Sequence, residues 1–365
     1  MQLAVVSQSA RIYANFAHEA GLAPDVIDAF ADIDTRACAN RWLQCKALVS
    51  GWNPSDFRIL IDRLDAWQTD TLVIGSGFEQ ALPQYAWLYQ HYTLAGNTPQ
   101  VMDQLKDPFW LAPICTNLGI ASPEVRQTAP VSGRWLVKQR GGCGGGHIKD
   151  WQAGMMVAQH EYYQAWQAGI SVGALFVGNG EHCRLVGVHQ LHEALDSYAY
   201  AGASRLLDAS LDQAMQALAD CLMQAVALKG IFSIDARWHA GRLYLLEVNP
   251  RLSASMRLYV GLPLMQAHLA GCRQQALPIL NVSIYSASHR ILYAGQSVDV
   301  SGLRMPDWLE DRPNGGMIEA GQPVCSLYAQ GENMFEVQQQ LLQQQEFLKK
   351  LWGTYVSERI QFFND

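Results

Sequence analysis

The sequence predicts an α/β protein of two or three subdomains: an N-terminal parallel sheet with helices on both faces, a central α/β body, and a small β-rich C-terminal lobe ending in a helix. Three observations predict it. Short apolar runs alternate with helical segments from residue 1 to about 95, the order that builds a parallel sheet. The chain has 365 residues, too many for one typical core, and 49% of them are apolar, which excludes a disordered chain. Two strand-like runs between 231 and 249 flank a short glycine-containing connection, the pattern of an antiparallel hairpin.

Taken in order, Leu3 to Val6 is a short apolar strand, followed by a helix from Ala10 to Ala20 that stops before Gly21. The run Pro24 to Phe30 carries the next strand and closes with Asp32 and Asp34. Asp56 to Trp67 reads as a helix, and Thr71 to Ile74 as a strand opening into Gly75-Ser76-Gly77-Phe78-Glu79. Ligands of such sheets bind beyond the carboxyl ends of the strands, which groups Ser7 to Arg11, Asp34 and Ser76 to Glu79 around one crevice. Gly75-x-Gly77 lacks the third glycine of a dinucleotide fingerprint, so a tight turn accounts for it. This first segment spans residues 1–98.

The second spans 99–280, with a smaller lobe at about 120–160. Trp110 to Leu118 is helical and ends in a glycine-then-proline stop, Gly119 to Pro123. Arg134 to Arg140 is a strand that runs into Gly141-Gly142-Cys143-Gly144-Gly145-Gly146, five glycines in six positions. Glycine costs entropy when ordered, so this density predicts a flexible flap whose bare amides close over an anion, with Cys143 a small loop residue rather than a nucleophile. Gln159 to Tyr163, Val172 to Val177 and Arg184 to Val188 read as strands. Leu211 to Lys229 has apolar residues at three-to-four spacing and Gly230 at its stop, which predicts a long packing helix. From 281 to 365 come a strand at Arg290 to Ala294, the turn Asp311 to Gly316, a strand at Pro323 to Leu327 and a glutamine-rich helix from Asn333 to Trp352. No chemistry is assigned to this lobe from its sequence.

The chemistry concentrates in the hairpin, Ile231 to Trp238 and Tyr244 to Asn249. Side chains at i and i+2 of a strand share a face, so Glu247 and Asn249 aim oxygen atoms at one point, and antiparallel pairing sets Asp235 opposite them. Hard oxygen ligands so grouped suit Mg²⁺ beside a phosphate chain. The formal charge of -7 argues against a nucleic-acid partner. Eight scattered cysteines without a Cys-x-x-Cys pattern, no signal-like N-terminus and no apolar run of about 20 residues predict a cytoplasmic protein with no membrane partner.

In sequence order, a lysine on a strand, a glycine flap, a second strand with an acid, then Asp235 and Leu246-Glu247-Val248-Asn249-Pro250-Arg251 together resemble the ATP-grasp superfamily of ligases, strongly over residues 100 to 260. The resemblance implies an ATP-grasp fold with ATP and Mg²⁺, expected as two ions, as cofactors. It implies that Lys138 contacts the α- and β-phosphates and that Gly141, Gly142, Gly144, Gly145 and Gly146 cover the β- and γ-phosphates. Gln159, Glu161 and Tyr163 fall where the family's hinge contacts adenine. Asp235, Glu247 and Asn249 would hold the metal, and Arg251, catalytic with Lys138, would meet the transferred phosphoryl group or acyl phosphate. The family commonly places a lysine one position later than Lys106, so Lys106 either does that work from a shifted position or the contact is lost. Its usual ribose-binding acid has no counterpart in Gln164 to Ser171.

The implied reaction activates a carboxylate as an acyl phosphate and condenses it with an amine, releasing ADP and phosphate. Ser9, Arg11, Ser76, Glu79, Ser253, Ser255 and Arg257 are the candidate contacts for small-molecule carboxylate and amine substrates. A general likeness points further to ligases that join amino acids to glutamate, including the tyrosine or tyramine–glutamate ligases of methylofuran and methanofuran synthesis in one-carbon metabolism. Two alternatives stand beside it, a biotin-carboxylase-like carboxylating enzyme and a non-catalytic ATP-binding sensor. A homodimer is allowed by the sequence but not specified by it.

Overall fold

The computed structural model describes residues 2–195, 197–281 and 284–363; Met1, Asn364 and Asp365, at the ends of the outer predicted segments, lie outside them. Its N-terminal sheet has five strands in the order Arg41–Gln44, Asp25–Asp28, Leu3–Ser7, Thr71–Ile74, Thr93–Ala95, all parallel. The three central strands are buried at every position, as a sheet covered on both faces requires. Strand order reverses between Leu3–Ser7 and Thr71–Ile74, the switch point where such sheets bind ligands. Gly75 is needed there for room, because a Cβ would overlap the Ser7 hydroxyl.

A four-stranded antiparallel sheet follows, in the order Val125–Arg126, Glu161–Ala165, Trp135–Gln139, Lys149–Asp150. An eight-stranded antiparallel sheet forms the body. Its main path runs Arg242–Asn249, Lys229–His239, Ile170–Asn179, Cys183–Glu193, Tyr200–Leu206, Ser286–Ala294, Pro323–Gly331, and Ile360–Gln361 pairs beside Ser286–Ala294. The strands Ser286–Ala294, Pro323–Gly331 and Ile360–Gln361 therefore continue the central sheet, while Val298–Asp299 and Met317–Ile318 pair as a separate two-stranded sheet. The chain is thus a mixed α/β fold with an N-terminal parallel sheet and antiparallel sheets after it.

Two local expectations are corrected. The helix predicted to Lys229 is Ala209–Met223, capped by Asp208 through the backbone N–H groups of Ser210 and Leu211, and Lys229 and Gly230 open the next strand. Gly230 is not a helix stop. It has φ +67 and a Cβ there would lie 2.5 Å from His268 Nδ1, so glycine lets this strand meet the helix Leu264–Cys272. The strand Tyr200–Leu206 was not anticipated at all. Its Ala-Gly-Ala-Ser core lacks the β-branched residues that mark a strand in sequence.

The last helix is Met334–Ser357, with Asn333 accepting from the Glu336 N–H at its start and Val337, Leu341, Leu348 and Trp352 buried. Among the described residues no helix is long and apolar enough to cross a membrane.

Candidate active site

The hairpin turns through Ala240 and Gly241, both at positive φ, and pairs Asp235 directly with Glu247. A bulge at Leu246 follows, since Ala236 pairs with Leu245. Asn249 completes the group: its Nδ2 donates to Asp235 Oδ2 at 3.2 Å and to Glu247 Oε1 at 3.1 Å. The amide oxygen accepts from Lys106 Nζ, which also lies 4.0 Å from Glu247 Oε2. Lys106 ends the helix Pro99–Lys106 and is buried, and from there it reaches Asn249 and Glu247.

Burial, and then the neighbouring Glu247, push Asp235 up from the ordinary carboxylate range. Burial also opposes charge on Glu247, but Lys106 and Lys138 outweigh it and hold this carboxyl below that range. Two carboxyls pressed together in this way share a proton until a cation arrives. Among the described residues no group of three His, Cys, Asp or Glu could hold a metal ion. The set here, two carboxyls and an amide, fits Mg²⁺ whose other ligands are phosphate oxygens and water, provided the Asn249 amide turns its oxygen inward.

Lys138 is buried on the strand Trp135–Gln139, and its Nζ donates to Gln164 Oε1 at 3.2 Å. Burial lowers its pKa, offset in part by Glu247. Beside it a cavity is lined by Gln164, Trp166, Gln167, Glu193, Tyr198 and Arg237, among others. The crossover from the four-stranded sheet to the eight-stranded one is 166–169.

Gln159, Glu161 and Tyr163, expected where the hinge contacts adenine, do not line this cavity. Glu161 accepts from the Ala158 N–H, and the Tyr163 hydroxyl donates to the Met155 carbonyl inside a small apolar cluster. Gln159 is exposed just before the strand begins. The strand extends to Ala165, so the crossover comes later than its first residues suggest. Glu193, paired with Arg237 at 3.2 Å, is the acid lining this cavity, and it lies outside the segment Gln164 to Ser171. Arg237 could have been found, two positions beyond Asp235 on the same face; no local signal marks Glu193.

The glycine loop is folded down rather than free. The Tyr200 N–H donates to the Gly144 carbonyl at 2.9 Å. A Cβ on Gly141 would overlap the Glu79 carbonyl, one on Gly145 the Tyr198 carbonyl, and Gly142 packs on His147. Gly146 faces open space. Glu79 first, then burial, push the Cys143 thiol up to about 12, which removes it as a nucleophile.

Arg251 connects this region to the N-terminal crevice, donating from Nε to Glu79 Oε1 at 2.6 Å. The other Glu79 oxygen accepts from the Gly77 and Phe78 N–H groups. The Ser76 N–H donates to the Ser7 hydroxyl at 3.1 Å, and Ser9 stands half-buried just past that strand. Ser253 and Ser255 bond each other at 3.0 Å.

Arg11 and Arg257 share two acids: Arg11 donates to Asp311 at 2.8 Å and Glu310 at 2.7 Å, and Arg257 to Asp311 at 2.9 Å and Glu310 at 3.3 Å. The C-terminal lobe, to which no chemistry is assigned from its sequence, supplies the two acids that hold these arginines. Glu310 and Asp311 reach the candidate substrate arginines from about 300 residues away in the case of Arg11.

Residues 104–255 match an ATP-grasp domain. No curated protein matches the sequence significantly. Solved structures with the same fold include a biotin carboxylase from Campylobacter jejuni, 11% identical, with a TM-score of 0.74 over 94% of this chain and 91% of that one. An N5-carboxyaminoimidazole ribonucleotide synthetase from Thermotoga maritima is 13% identical, with a TM-score of 0.67 over 94% and 98%. A carboxyaminoimidazole ribonucleotide synthase from Aspergillus clavatus, complexed with ATP, is 12% identical, with a TM-score of 0.70 over 96% and 99%.

Proposed function

With an ATP-grasp domain at residues 104–255, we propose that the chain is an ATP-dependent carbon–nitrogen ligase that activates a carboxylate as an acyl phosphate and condenses it with an amine. The observation that carries this reading is the convergence of Lys106, Asp235, Glu247 and Asn249 at one point, with Arg251 alongside and turned toward the Ser76 to Glu79 crevice. Phosphoryl transfer needs positioning and charge neutralisation more than a protein nucleophile, and these are the groups for it.

In this reading Asp235, Glu247 and Asn249 hold Mg²⁺, which when bound neutralises charge on the β- and γ-phosphates. Lys138 binds the phosphate chain from the cavity side, with the nucleoside against Trp166 and Gln167. The glycine loop presents backbone N–H groups and excludes water, protecting an acyl phosphate from hydrolysis. Arg251 Nη2, 3.4 Å from Asn249 Oδ1, is placed to balance charge on the phosphoryl group in transit. Arg11 and Arg257, with the serines near them, face the carboxylate and amine substrates. Amino acids are the substrates proposed, with glutamate joined to tyrosine or tyramine as the narrower candidate.

A second reading is supported by the likeness to biotin carboxylase and to carboxyaminoimidazole ribonucleotide synthetases: bicarbonate as the activated carboxylate. One experiment separates these. The protein is incubated with Mg-ATP and amino acids singly and in pairs, with and without bicarbonate, and ADP, phosphate and condensed product are measured. ADP release that requires one carboxylate–amine pair and yields its amide supports the ligase. Strict dependence on bicarbonate supports carboxylation, and nucleotide binding without ADP under every condition leaves a sensor.

A further inference from the structure

The ligase reading sets Arg251 beside the phosphoryl group in transit, and its value there depends on where its guanidinium points. A guanidinium is a flat, rigid fork, so anchoring two of its nitrogens fixes the direction of the third. Two corners are anchored here. Nε donates to Glu79 Oε1 at 2.6 Å, and Nη1 donates to the Leu252 carbonyl at 2.9 Å. Nη2 is the corner left over, and it faces Asn249 Oδ1 at 3.4 Å, on the metal edge.

The Leu252 carbonyl belongs to the adjoining residue and travels with Arg251. Glu79 comes from the N-terminal domain, 172 positions earlier, just past the strand Thr71–Ile74 at the switch point. Its second oxygen, Oε2, accepts from the Gly77 N–H at 2.7 Å and the Phe78 N–H at 3.0 Å. The carboxylate is therefore clamped to its own turn while it holds Arg251.

The same segment braces the glycine loop. A Cβ on Gly141 would overlap the Glu79 carbonyl, and the next side chain, Gln80, donates to Gln139 Oε1 and to the Arg140 carbonyl at 3.4 Å each. Glu79 thus touches both the start of the loop and the arginine beside the metal edge.

Its place in the crevice makes Glu79 a candidate substrate contact, but its side chain is only 2% exposed and both oxygens are engaged. Burial opposes its charge, yet Arg251 and then Lys106 hold the carboxyl below its ordinary range, so it is an anion at neutral pH.

We propose that Glu79 is a positioning residue, which binds neither ATP nor substrate but turns the Arg251 guanidinium so that Nη2 meets the phosphoryl group passing from ATP to the carboxylate. In that transfer a carboxylate oxygen of the substrate forms a bond to the γ-phosphorus. The bond from that phosphorus to the bridging oxygen breaks, and ADP leaves with the electron pair. No proton moves, and Arg251 balances charge throughout. The position calls for a carboxylate because both oxygens must accept. An amide would set its NH₂ either against Arg251 Nε–H or against the Gly77 and Phe78 N–H groups, donor facing donor.

This inference rests on the ligase reading, and hydroxylamine keeps the two apart. It traps an acyl phosphate as a hydroxamate whatever the natural acceptor amine is, so it reads phosphoryl transfer alone. Wild type, Glu79→Gln, Glu79→Asp and Arg251→Ala, with each Glu79 change also made in the Arg251→Ala background, are given Mg-ATP, hydroxylamine and a panel of L-amino acids as carboxylates. ADP and hydroxamate are measured, and calorimetry measures Mg-ATP affinity.

Glu79→Gln is expected to lose about 100-fold in kcat, with the carboxylate KM and the Kd for Mg-ATP within about threefold of wild type. Glu79→Asp keeps the charge on a shorter stem and should lose only about tenfold. In the Arg251→Ala background either change should cost less than about threefold, since no guanidinium is left to turn. A merely structural role would cost the same in both backgrounds. That result, a raised carboxylate KM at unchanged kcat, or full activity in Glu79→Gln would each overturn the assignment. Where Glu79→Gln fails to fold, Glu79→Asp decides by the same comparison of backgrounds. No hydroxamate from wild type with any carboxylate overturns the ligase reading, and this inference with it.

Discussion

Asn249 has two jobs that pull against each other. Its amide nitrogen bridges Asp235 and Glu247 while its oxygen faces Lys106. In the proposed reading the amide stands where Mg²⁺ would bind, and its oxygen and nitrogen would have to exchange places. Glu247→Gln takes an anionic ligand from the proposed metal set and a counter-charge from Lys106 and Lys138, so it costs some stability as well. Turnover of ATP is expected to fall by at least about 100-fold, with a lowered thermal midpoint but a transition that stays cooperative. Parallel ADP-release and melting measurements check this, and near-normal turnover removes Glu247 from the metal set. The hairpin residues were legible because a strand's period of two needs no tertiary information. Glu193 was not, because its partner Arg237 lies 44 positions away on a strand two removed.

The glycine loop is the element whose geometry most constrains sequence. Gly145 has φ +75 and a Cβ there would overlap the Tyr198 carbonyl, whereas Gly146 meets nothing. Gly145→Ala should therefore lift the loop from the strand that follows Tyr198 and raise the KM for ATP by about tenfold, a cost near 1.4 kcal/mol. Gly146→Ala should change it by less than about twofold. Steady-state kinetics on both variants test this, and equal effects would show that glycine serves flexibility here rather than close approach. The density of glycine was legible, but which of them carry contacts was not, since Tyr198 is supplied by a distant segment. Gln159 to Tyr163 reads as a strand from its aromatic content, yet where the chain leaves one sheet for another is set by pairing with Trp135–Gln139.

Over the whole molecule, the two ends of the chain meet across the crevice. The N-terminal domain and the segment around 310 are joined by Arg11, Arg257, Glu310 and Asp311, and by Arg312, which holds Asp34 through its N–H, Nε and Nη2 at 2.9, 2.8 and 2.6 Å. Sequence alone could read Asp311 to Gly316 as a turn but not what it turns toward. Asp311 is the keystone, at φ +54 with one oxygen on each guanidinium. Burial alone would raise its pKa, but Arg257 and Arg11 reverse the sign and hold it well below the usual carboxylate range. A depressed folded-state pKa gives stability that is fully present above the unfolded value and is lost as pH falls below it. With an unfolded value of about 3.9, the contribution of Asp311 is complete above about pH 5, begins to fall below about pH 4 and is lost only toward the depressed folded value. Asp311→Asn keeps a residue that tolerates positive φ but leaves two buried guanidiniums with Glu310 alone. It should cost about 3 kcal/mol at pH 7, and the gap to wild type should close as pH falls. Urea unfolding of both proteins at pH 7 and pH 3.5 measures the two gaps. Equal gaps would mean that Asp311 acts by shape alone and that charge does not hold the C-terminal segment over the crevice.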